Sequence, residues 1–254
     1  APGILGEEIA GAEIFWPRTL ETDLSAQSFN DRLVGQIVEG IERRGKFLVI
    51  RLSRDTLLFH LRMSGDLRVE PAEVPIALHD RLAILFRSGL RLVFNDTRKF
   101  GRAWLVHEPQ EVTSRLGLEP FDPDLTPERF YALLHERRRQ LKPLLLDQGF
   151  IAGIGNIYAD EALFKARLHP LRLANTLSLP EAAGLLEGIR EVLSEGIRRQ
   201  GASIDWVYRG GDFQNYFCVY QRAGKPCPRC GTPIERIVVG QRGTYYCPHC
   251  QPWV

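Results

Sequence analysis

The chain has 254 residues, of which 44% are hydrophobic and 25% charged, and its net charge is +2. This length suffices for one large domain or two ordinary ones, each with its own core. The sequence contains neither an 18-residue apolar run nor a signal peptide, so we expect a cytoplasmic location. The small net charge excludes little, because binding to a polyanion needs a local basic surface and not a large global excess.

The first half of the chain is predicted to form β structure, because short runs of β-branched and aromatic residues alternate with turn residues. Several short strands at regular spacing are typical of a sandwich or a barrel. Strands are predicted over 46–53, 56–63, 81–87, 90–95 and 102–107, and loops over 74–80 and 108–112.

From Thr126 onwards the hydrophobic period becomes helical. Thr126, Pro127 and Glu128 form the N-cap, the first-turn proline and the acidic first turn of one helix. Helices are predicted over 127–136, 141–146, 157–166 and 180–200. The second half is therefore predicted to be mainly α-helical.

Four cysteines near the end of the chain have the spacing of a metal site. Cys227, Cys230, Cys247 and Cys250 form two C-x2-C pairs separated by 16 residues, which is typical of a tetrahedral zinc site built on two knuckles. Four thiolates close the coordination sphere, so a single Zn²⁺ is predicted to be structural and not catalytic. Disulfides are the alternative, which the lack of a signal peptide disfavours. Cys218 lies outside the pattern and is expected to be a packed thiol in a strand.

Between the two cysteine pairs, the sequence predicts two short strands with Arg242 at the tip of their turn. Its planar guanidinium could bridge phosphates or base edges, and a solvated turn arginine is the alternative. From residue 216 to residue 254 the chain carries five basic residues and one glutamate. This local excess is consistent with a nucleic-acid partner, and an ordinary solvated surface is the alternative.

A glycine-rich linker over 147–155 joins two of the predicted helices. The free N–H groups at the start of the second helix favour an anion, so a DNA phosphate is expected to dock beside Asn156 and Tyr158. Arg138 and Lys142 on the preceding segment are predicted to neutralise neighbouring phosphates. An ordinary interhelical turn is the alternative.

The stretch KPLLLDQGFIAGIGNIYADEALF over 142–164, followed by His169 and Pro170, resembles the helix-two-turns-helix signature of the formamidopyrimidine-DNA glycosylase and endonuclease VIII family. The four-cysteine segment with Gln241 and Arg242 is similar to the zinc ribbon of the same family. The resemblance covers nearly the whole chain. It implies a multidomain α+β protein with a β-sandwich over 1–112, a helix-two-turns-helix domain over 113–215 and a zinc ribbon over 216–254.

The resemblance also implies roles for individual residues. Lys46 and Arg242 resemble catalytic residues that stabilise or protonate groups around the phosphates. Met63, Arg98 and Phe100 resemble the triad that fills the gap left by an extruded base, since an apolar wedge and an arginine offset the cost of flipping. For Met63 alone, core packing is the alternative.

Further matches to the family concern the phosphate contacts and the location of the DNA on the protein. His79, Lys99 and Arg138 resemble phosphate contacts. The DNA is expected in a cleft between the two halves, which Arg242 shares with Lys46, Asn156 and Lys142. The implied partner is double-stranded DNA with oxidised bases or abasic sites. The implied protein is a monomer, and it is associated with the nucleoid if bacterial.

The start of the chain departs from the family. The family nucleophile is an N-terminal proline followed directly by a glutamate, whereas this chain begins Ala1-Pro2-Gly3. Pro2 cannot substitute, because its nitrogen belongs to a tertiary amide. The family's first helix is therefore missing from the sequence. We expect either a DNA glycosylase with AP lyase activity whose first helix lies outside it, or a non-catalytic damaged-DNA-binding protein of the same fold.

In the family, the proline amine attacks the sugar C1′ of the flipped nucleotide, expels the base and forms a Schiff base, after which elimination cuts the strand. The segment 201–217 matches the loop that covers the flipped base in the purine-type enzymes. With Phe100, it favours 8-oxoguanine and formamidopyrimidines over the oxidised pyrimidines of the endonuclease VIII branch. The preferred substrate is predicted to be 8-oxoguanine opposite cytosine. A zinc-ribbon module fused to an unrelated β domain is a third, remote hypothesis.

Overall fold

The computed structural model describes residues 3–21, 24–203 and 210–253. The chain divides into two compact units, Ala1–Ser114 and Arg115–Val254. Two features singled out in the sequence, Pro2 and the central part of the segment 201–217, lie outside the described residues.

The first unit is a sandwich of two four-stranded antiparallel sheets, with strand orders β1-β6-β7-β5 and β2-β3-β4-β8. Phe59 of one sheet meets Phe94 of the other edge to face, with ring centroids 5.4 Å apart. Aliphatic and aromatic side chains of both sheets share one core, as expected for aligned sheets. The elements are β1 (Ile9–Ile14), α1 (Ala26–Leu33), β2 (Val38–Arg44), β3 (Phe47–Leu52), β4 (Thr56–His60), β5 (Gly65–Pro71), β6 (Asp80–Phe86), β7 (Leu90–Asp96), β8 (Arg102–Val106) and α2 (Gln110–Thr113).

Three strands are absent from the sequence-based prediction, namely β1, β2 and β5, and all three lie at sheet edges. β2 and β5 carry charged residues on the exposed part of an edge strand, and β1 contains glycine and alanine, so none of the three has the usual β signature. The predicted strand 56–63 ends early at His60, and Arg62 has a positive φ of 56°. The predicted loop 108–112 contains part of the short helix α2.

Within its described residues, the second unit combines four α-helices with a two-stranded hairpin. Thr126 and Ser178 cap two of the helices, and Ser178 forms a reciprocal capping box with Glu181. The predicted helix limits agree with the observed ones within two residues. The elements are α3 (Pro127–His135), α4 (Leu141–Leu146), α5 (Asn156–Lys165), α6 (Leu179–Arg198), β9 (Glu235–Val239) and β10 (Arg242–Tyr246).

Helix α5 carries the contacts that fix the cysteine-rich segment. The buried carboxylate of Glu161 accepts hydrogen bonds from the N–H groups of Cys218, Val219 and Tyr220, each at 2.9 Å. Near the end of α5, the guanidinium of Arg229 lies 4.5 Å from the ring centroid of Phe164. The segment is therefore held along the length of one helix. Within the described residues, no helix has the length and apolar character needed to cross a membrane.

Candidate nucleic-acid interface

The four predicted zinc ligands converge at one point. All four Sγ atoms lie within 4.8 Å of one another, with Cys227 4.0 Å from Cys250 and Cys230 3.5 Å from Cys247. Thiolates around a tetrahedral zinc ion at about 2.3 Å stand about 3.8 Å apart, whereas a disulfide needs about 2.05 Å. The cluster therefore fits Zn²⁺ and does not fit the disulfide alternative. Cys218 is half-buried and lies outside the strands that the structure describes, and burial raises the pKa of its thiol to about 11.

The hairpin between the cysteine pairs turns at Gly240 and Gln241, which both have positive φ, 54° and 61°. Two positive φ values define the tight turn whose twist matches that of an antiparallel hairpin. Arg242 is therefore the first residue of β10, opposite Val239, and not the tip residue that the sequence suggested. Its side chain is exposed.

Helix α5 begins at Asn156 without a side-chain cap, after an extended Gly155. Gln148 holds the turn before it, accepting from the Gly153 N–H and donating to the carbonyl of Ile154. The Nδ2 of Asn156 donates to the carbonyl of Gly243 over 3.1 Å. The helix start expected to receive a phosphate is thus bonded to the strand that carries Arg242.

Lys142 is not at the surface, which corrects the expectation that it contacts a phosphate. Its side chain is fully buried, and its Nζ donates to the carbonyl of Asn156 and to the carboxylate of Asp160. Burial lowers the pKa of Lys142 and raises that of Asp160 to about 6. An ammonium whose hydrogen bonds are made inside the protein cannot also reach a DNA backbone. The sequence could not reveal this, because lysine is seldom buried.

Tyr158 and Arg138 lie in different environments. The Tyr158 ring stacks on Phe213 at 5.4 Å and is half-buried. A Cβ atom at Gly196 would lie only 2.4 Å from the Tyr158 hydroxyl oxygen, so the hydroxyl packs directly against the backbone of α6. Much of Tyr158 therefore packs in the helical core, and its phosphate contact stays a prediction. Arg138 is exposed between α3 and α4.

In the first unit, the predicted gap-filling side chains stand out from the sandwich. Met63 is 55% exposed and Phe100 is 50% exposed. The guanidinium of Arg98 lies 5.2 Å from the centroid of the Phe100 ring, within cation–π range. The exposure of Met63 contradicts its alternative reading as a core residue.

A buried carboxylate joins the loops that carry these residues. Asp96 accepts hydrogen bonds from the hydroxyl of Ser64, from the Arg98 N–H at 3.1 Å and from the Gly101 N–H at 2.7 Å. Any Cβ at Gly101 would lie 2.3 Å from the ring of Phe94. The loop after β4 and the loop after β7 are therefore fixed to each other. Sequence reasoning missed Asp96 and Ser64, although Ser64 directly follows Met63 and Asp96 lies two residues before Arg98.

His79 lies next to this arrangement. Its carbonyl accepts from the Asp96 N–H at 2.9 Å, and its Nδ1 lies 3.3 Å from Arg81. Lys99 extends over the ring of Trp16, with its Nζ 3.9 Å from the ring centroid. Through Asp96, His79 is thus tied to the loop that carries Arg98.

Lys46 is exposed in the turn between β2 and β3, after Gly45 with a φ of 58°. The ring of His60 packs edge to face on Phe47, at 4.9 Å between centroids. Burial, aided by the charges of Arg62 and Lys46, lowers the pKa of His60 to about 4. A neutral imidazole therefore lies close to the predicted active-site lysine.

Three family models match the chain. The "Formamidopyrimidine-DNA glycosylase N-terminal domain" matches residues 1–103, the "Formamidopyrimidine-DNA glycosylase H2TH domain" matches 116–207, and the "Zinc finger found in FPG and IleRS" matches 224–252. Together they span both units and include all four cysteines.

Individual relatives agree with these matches. The formamidopyrimidine-DNA glycosylase of Roseiflexus sp. is 45% identical over 261 residues, which cover 97% of this chain and 95% of the relative. That of Protochlamydia amoebophila is 40% identical over 257 residues, with coverage of 98% and 93%.

Solved structures give the same result. Lactococcus lactis Fpg, in complex with DNA containing an abasic site, has a TM-score of 0.91 at 35% identity, covering 98% of this chain and 94% of that one. MutM, in complex with DNA containing carbocyclic 8-oxo-G, has a TM-score of 0.90 at 36% identity with the same coverage. The chain belongs to the formamidopyrimidine-DNA glycosylase family.

Proposed function

We propose that this chain acts in base-excision repair as a DNA glycosylase with AP lyase activity, removing 8-oxoguanine and formamidopyrimidines from duplex DNA. The observation that carries this proposal is the exposed group of Met63, Arg98 and Phe100 on loops fixed by Asp96. An enzyme that flips a base must fill the vacated space, and side chains held rigidly outside the fold are suited to that. Solved relatives bind DNA containing carbocyclic 8-oxo-G and Fapy-dG, which supports the lesion class.

The other residues take roles that fit their positions. We assign phosphate contacts to His79, Lys99 and Arg138, and to the start of α5 at Asn156. Tyr158 is assigned a further phosphate contact through the part of its side chain that remains accessible. Lys46 and Arg242 stabilise charge around the phosphates flanking the lesion, since both are exposed cations, one in the turn between β2 and β3 and the other at the start of β10. The zinc ion is structural, because four thiolates leave it no open position.

Base release and strand cleavage need an amine that can form an iminium ion with the sugar C1′. Pro2 cannot supply it, because it follows Ala1 in a peptide bond. In the proposed reaction the amine is that of an N-terminal proline followed by a glutamate, as the family resemblance implies. The second candidate is a damaged-DNA-binding protein of the same fold without chemistry.

Borohydride trapping on duplex DNA containing 8-oxoguanine separates the two candidates. We compare the 254-residue chain with a chain in which the first helix of the Roseiflexus relative is joined ahead of Ala1. A covalent adduct is expected only from the extended chain. If the extended chain binds the lesion but forms no adduct, the proposal of an enzyme fails, and an adduct from the 254 residues alone rules out the non-catalytic alternative.

Lesion choice is tested with the same extended chain on two duplexes. Faster excision of 8-oxoguanine opposite cytosine than of thymine glycol is expected. The reverse order would assign the chain to the endonuclease VIII-like alternative, with oxidised pyrimidines as its substrates.

A further inference from the structure

Strand β10 has one edge paired with β9, and its other edge is bonded to side chains of α5. The carbonyl of Gly243 accepts from Asn156 Nδ2 at 3.1 Å, and the N–H of Tyr245 donates to Asp160 Oδ2 at 3.1 Å. In an antiparallel strand, backbone groups of alternate residues point to opposite edges. Gly243 and Tyr245 thus direct these groups away from β9 and towards α5.

The spacing of the two contacts explains why a helix can bond this edge. Asn156 and Asp160 are four residues apart, a rise of about 6 Å along a helix. Gly243 and Tyr245 are two residues apart, about 6.8 Å along a strand. One turn of α5 therefore matches one repeat of β10, and a one-residue slip of the strand would break both hydrogen bonds.

Lys142 closes this arrangement from a third element. From α4, its Nζ donates to the carbonyl of Asn156 at 3.0 Å and to Asp160 Oδ1 at 2.5 Å. Both Lys142 and Asp160 have fully buried side chains. A buried ion pair of this kind contributes little net stability, but it strongly disfavours arrangements that separate its partners. Lys142 therefore ties the start of α5 to its first turn, and β10 is held at one alignment along that turn.

We propose that Asp160 is a positioning residue for Arg242. Asp160 fixes the register of β10 against α5, and this register sets the position of the Arg242 side chain relative to the start of the helix at Asn156. This inference rests on the proposed function, in which both groups contact the DNA backbone. Asp160 touches no DNA itself, because its carboxylate is enclosed by Lys142 and the Tyr245 N–H. Displacements of about 1 Å in such a contact are enough to weaken it substantially.

The first test needs no DNA. Amide hydrogen exchange over residues 240–246 is measured in the zinc-loaded chain, in D160A, and in the double variant Lys142→Met with Asp160→Leu. The double variant replaces the charged pair by apolar side chains of similar size, so it leaves no unpaired buried charge. Faster exchange of the Tyr245 amide is expected in both variants. Unchanged exchange in both would overturn the inference.

The second test measures phosphate contacts through salt. Affinity for duplex DNA with an abasic-site analogue is measured across salt concentrations for the zinc-loaded chain, R242A, D160A and the R242A/D160A double variant. Loss of one phosphate contact reduces the slope of log K against log salt by about 0.9. The reduction is expected in R242A and in D160A, with no further reduction in the double variant. A D160A slope equal to that of the parent chain, with a reduced slope in R242A, contradicts the inference.

Glu181→Ala serves as the matched control. It removes the capping box of α6 and the ion pair with Arg172, which lies outside the hairpin contacts. Its effect on stability is structural, so the salt slope is expected to stay unchanged. Faster Tyr245 exchange in D160A together with an unaffected salt slope in R242A would support the register role of Asp160 and reject the DNA contact of Arg242. Failure of the inference can thus be told apart from failure of the proposed function.

Discussion

At the scale of single residues, buried polar groups determine the positions of the exposed side chains that we propose to contact DNA. Asp96 is 1% exposed, yet its three hydrogen bonds fix the backbone beside Met63 and Phe100. The family resemblance led to the proposed triad of Met63, Arg98 and Phe100. It did not point to Asp96, because in the sequence a carboxylate in a loop cannot be told from a solvated aspartate. The same limit applies to Lys142, whose burial depends on Asp160 in another helix.

Met63→Ala tests the gap-filling role. Because the side chain is 55% exposed, its loss is expected to change the free energy of unfolding by less than about 0.5 kcal/mol. Affinity for DNA with an abasic-site analogue is expected to fall, since the vacated space is no longer filled. Binding assays and chemical denaturation of the same samples check both statements. An unaltered affinity would show that Met63 is an ordinary surface residue without a gap-filling role.

His60 gives the first unit a defined response to acid. Its pKa is lowered to about 4 in the folded chain, against about 6.5 in the unfolded chain. Between these values the unfolded chain binds a proton that the folded chain does not, so this contribution to stability declines as the pH falls from about 6.5 towards 4. Nδ1 also accepts from the Arg62 N–H, and a proton there would break that hydrogen bond.

His60→Asn keeps an acceptor for the Arg62 N–H and does not titrate in this range. The difference in denaturation midpoint between pH 7 and pH 5 is therefore expected to be smaller in the variant than in the parent chain. Equal differences would show that His60 does not contribute to the acid response.

At the scale of elements, the limits of the prediction follow solvent exposure. Buried strands such as β4 and β7 were predicted from their apolar runs, and α4 was predicted with its observed bounds. The strands missed were edge strands, whose exposed positions carry charged residues, as in the sequence VEGIERR of β2. Helix α1, with the polar sequence AQSFNDRL, was missed for a similar reason, since only Phe29 and Leu33 are buried. The zinc site was predictable because cysteine spacing encodes its geometry directly, and the cluster confirms it.

Removal of zinc is expected to unfold the hairpin while the first unit stays folded. Structural zinc contributes about 10–16 kcal/mol of apparent binding free energy in isolated fingers, whereas the sandwich has a hydrophobic core of its own. Hydrogen exchange after chelation should rise over 227–250 and stay unchanged over β3, β4 and β7. DNA affinity should fall at the same time and return when Zn²⁺ is added. Protection of the hairpin in the zinc-free chain would contradict this expectation.

At the scale of the whole molecule, the α+β class, the sandwich, the helical region and the zinc finger were predicted correctly. The change from alternating to helical periodicity separates strands from helices along the chain, and the two compact units reflect that change. The net charge of +2 said little about partners, because the proposed DNA contacts use a few cations at chosen positions.

Binding is therefore expected to depend strongly on salt despite the small net charge. Four proposed cationic contacts, Lys46, Lys99, Arg138 and Arg242, give a slope of about −3.6 in log K against log salt. Affinity should fall by about 100-fold between 50 and 200 mM salt. Arg54→Gln is the control, because Arg54 is exposed and we assign it no contact with DNA. This variant should leave the slope unchanged. A parent slope near zero would contradict backbone binding by these residues.

The three hydrogen bonds on Glu161 have a consequence for how this fold tolerates change in chain length. The residues just after position 217 are re-anchored on α5, so the path of the cysteine-rich segment is set afresh there. Insertions or deletions between residues 203 and 210, ahead of Phe213 and its stack on Tyr158, are therefore expected to leave the zinc site and Arg242 in place. The family resemblance assigns to this segment the loop that covers the flipped base, so we expect that its length can change without moving Arg242.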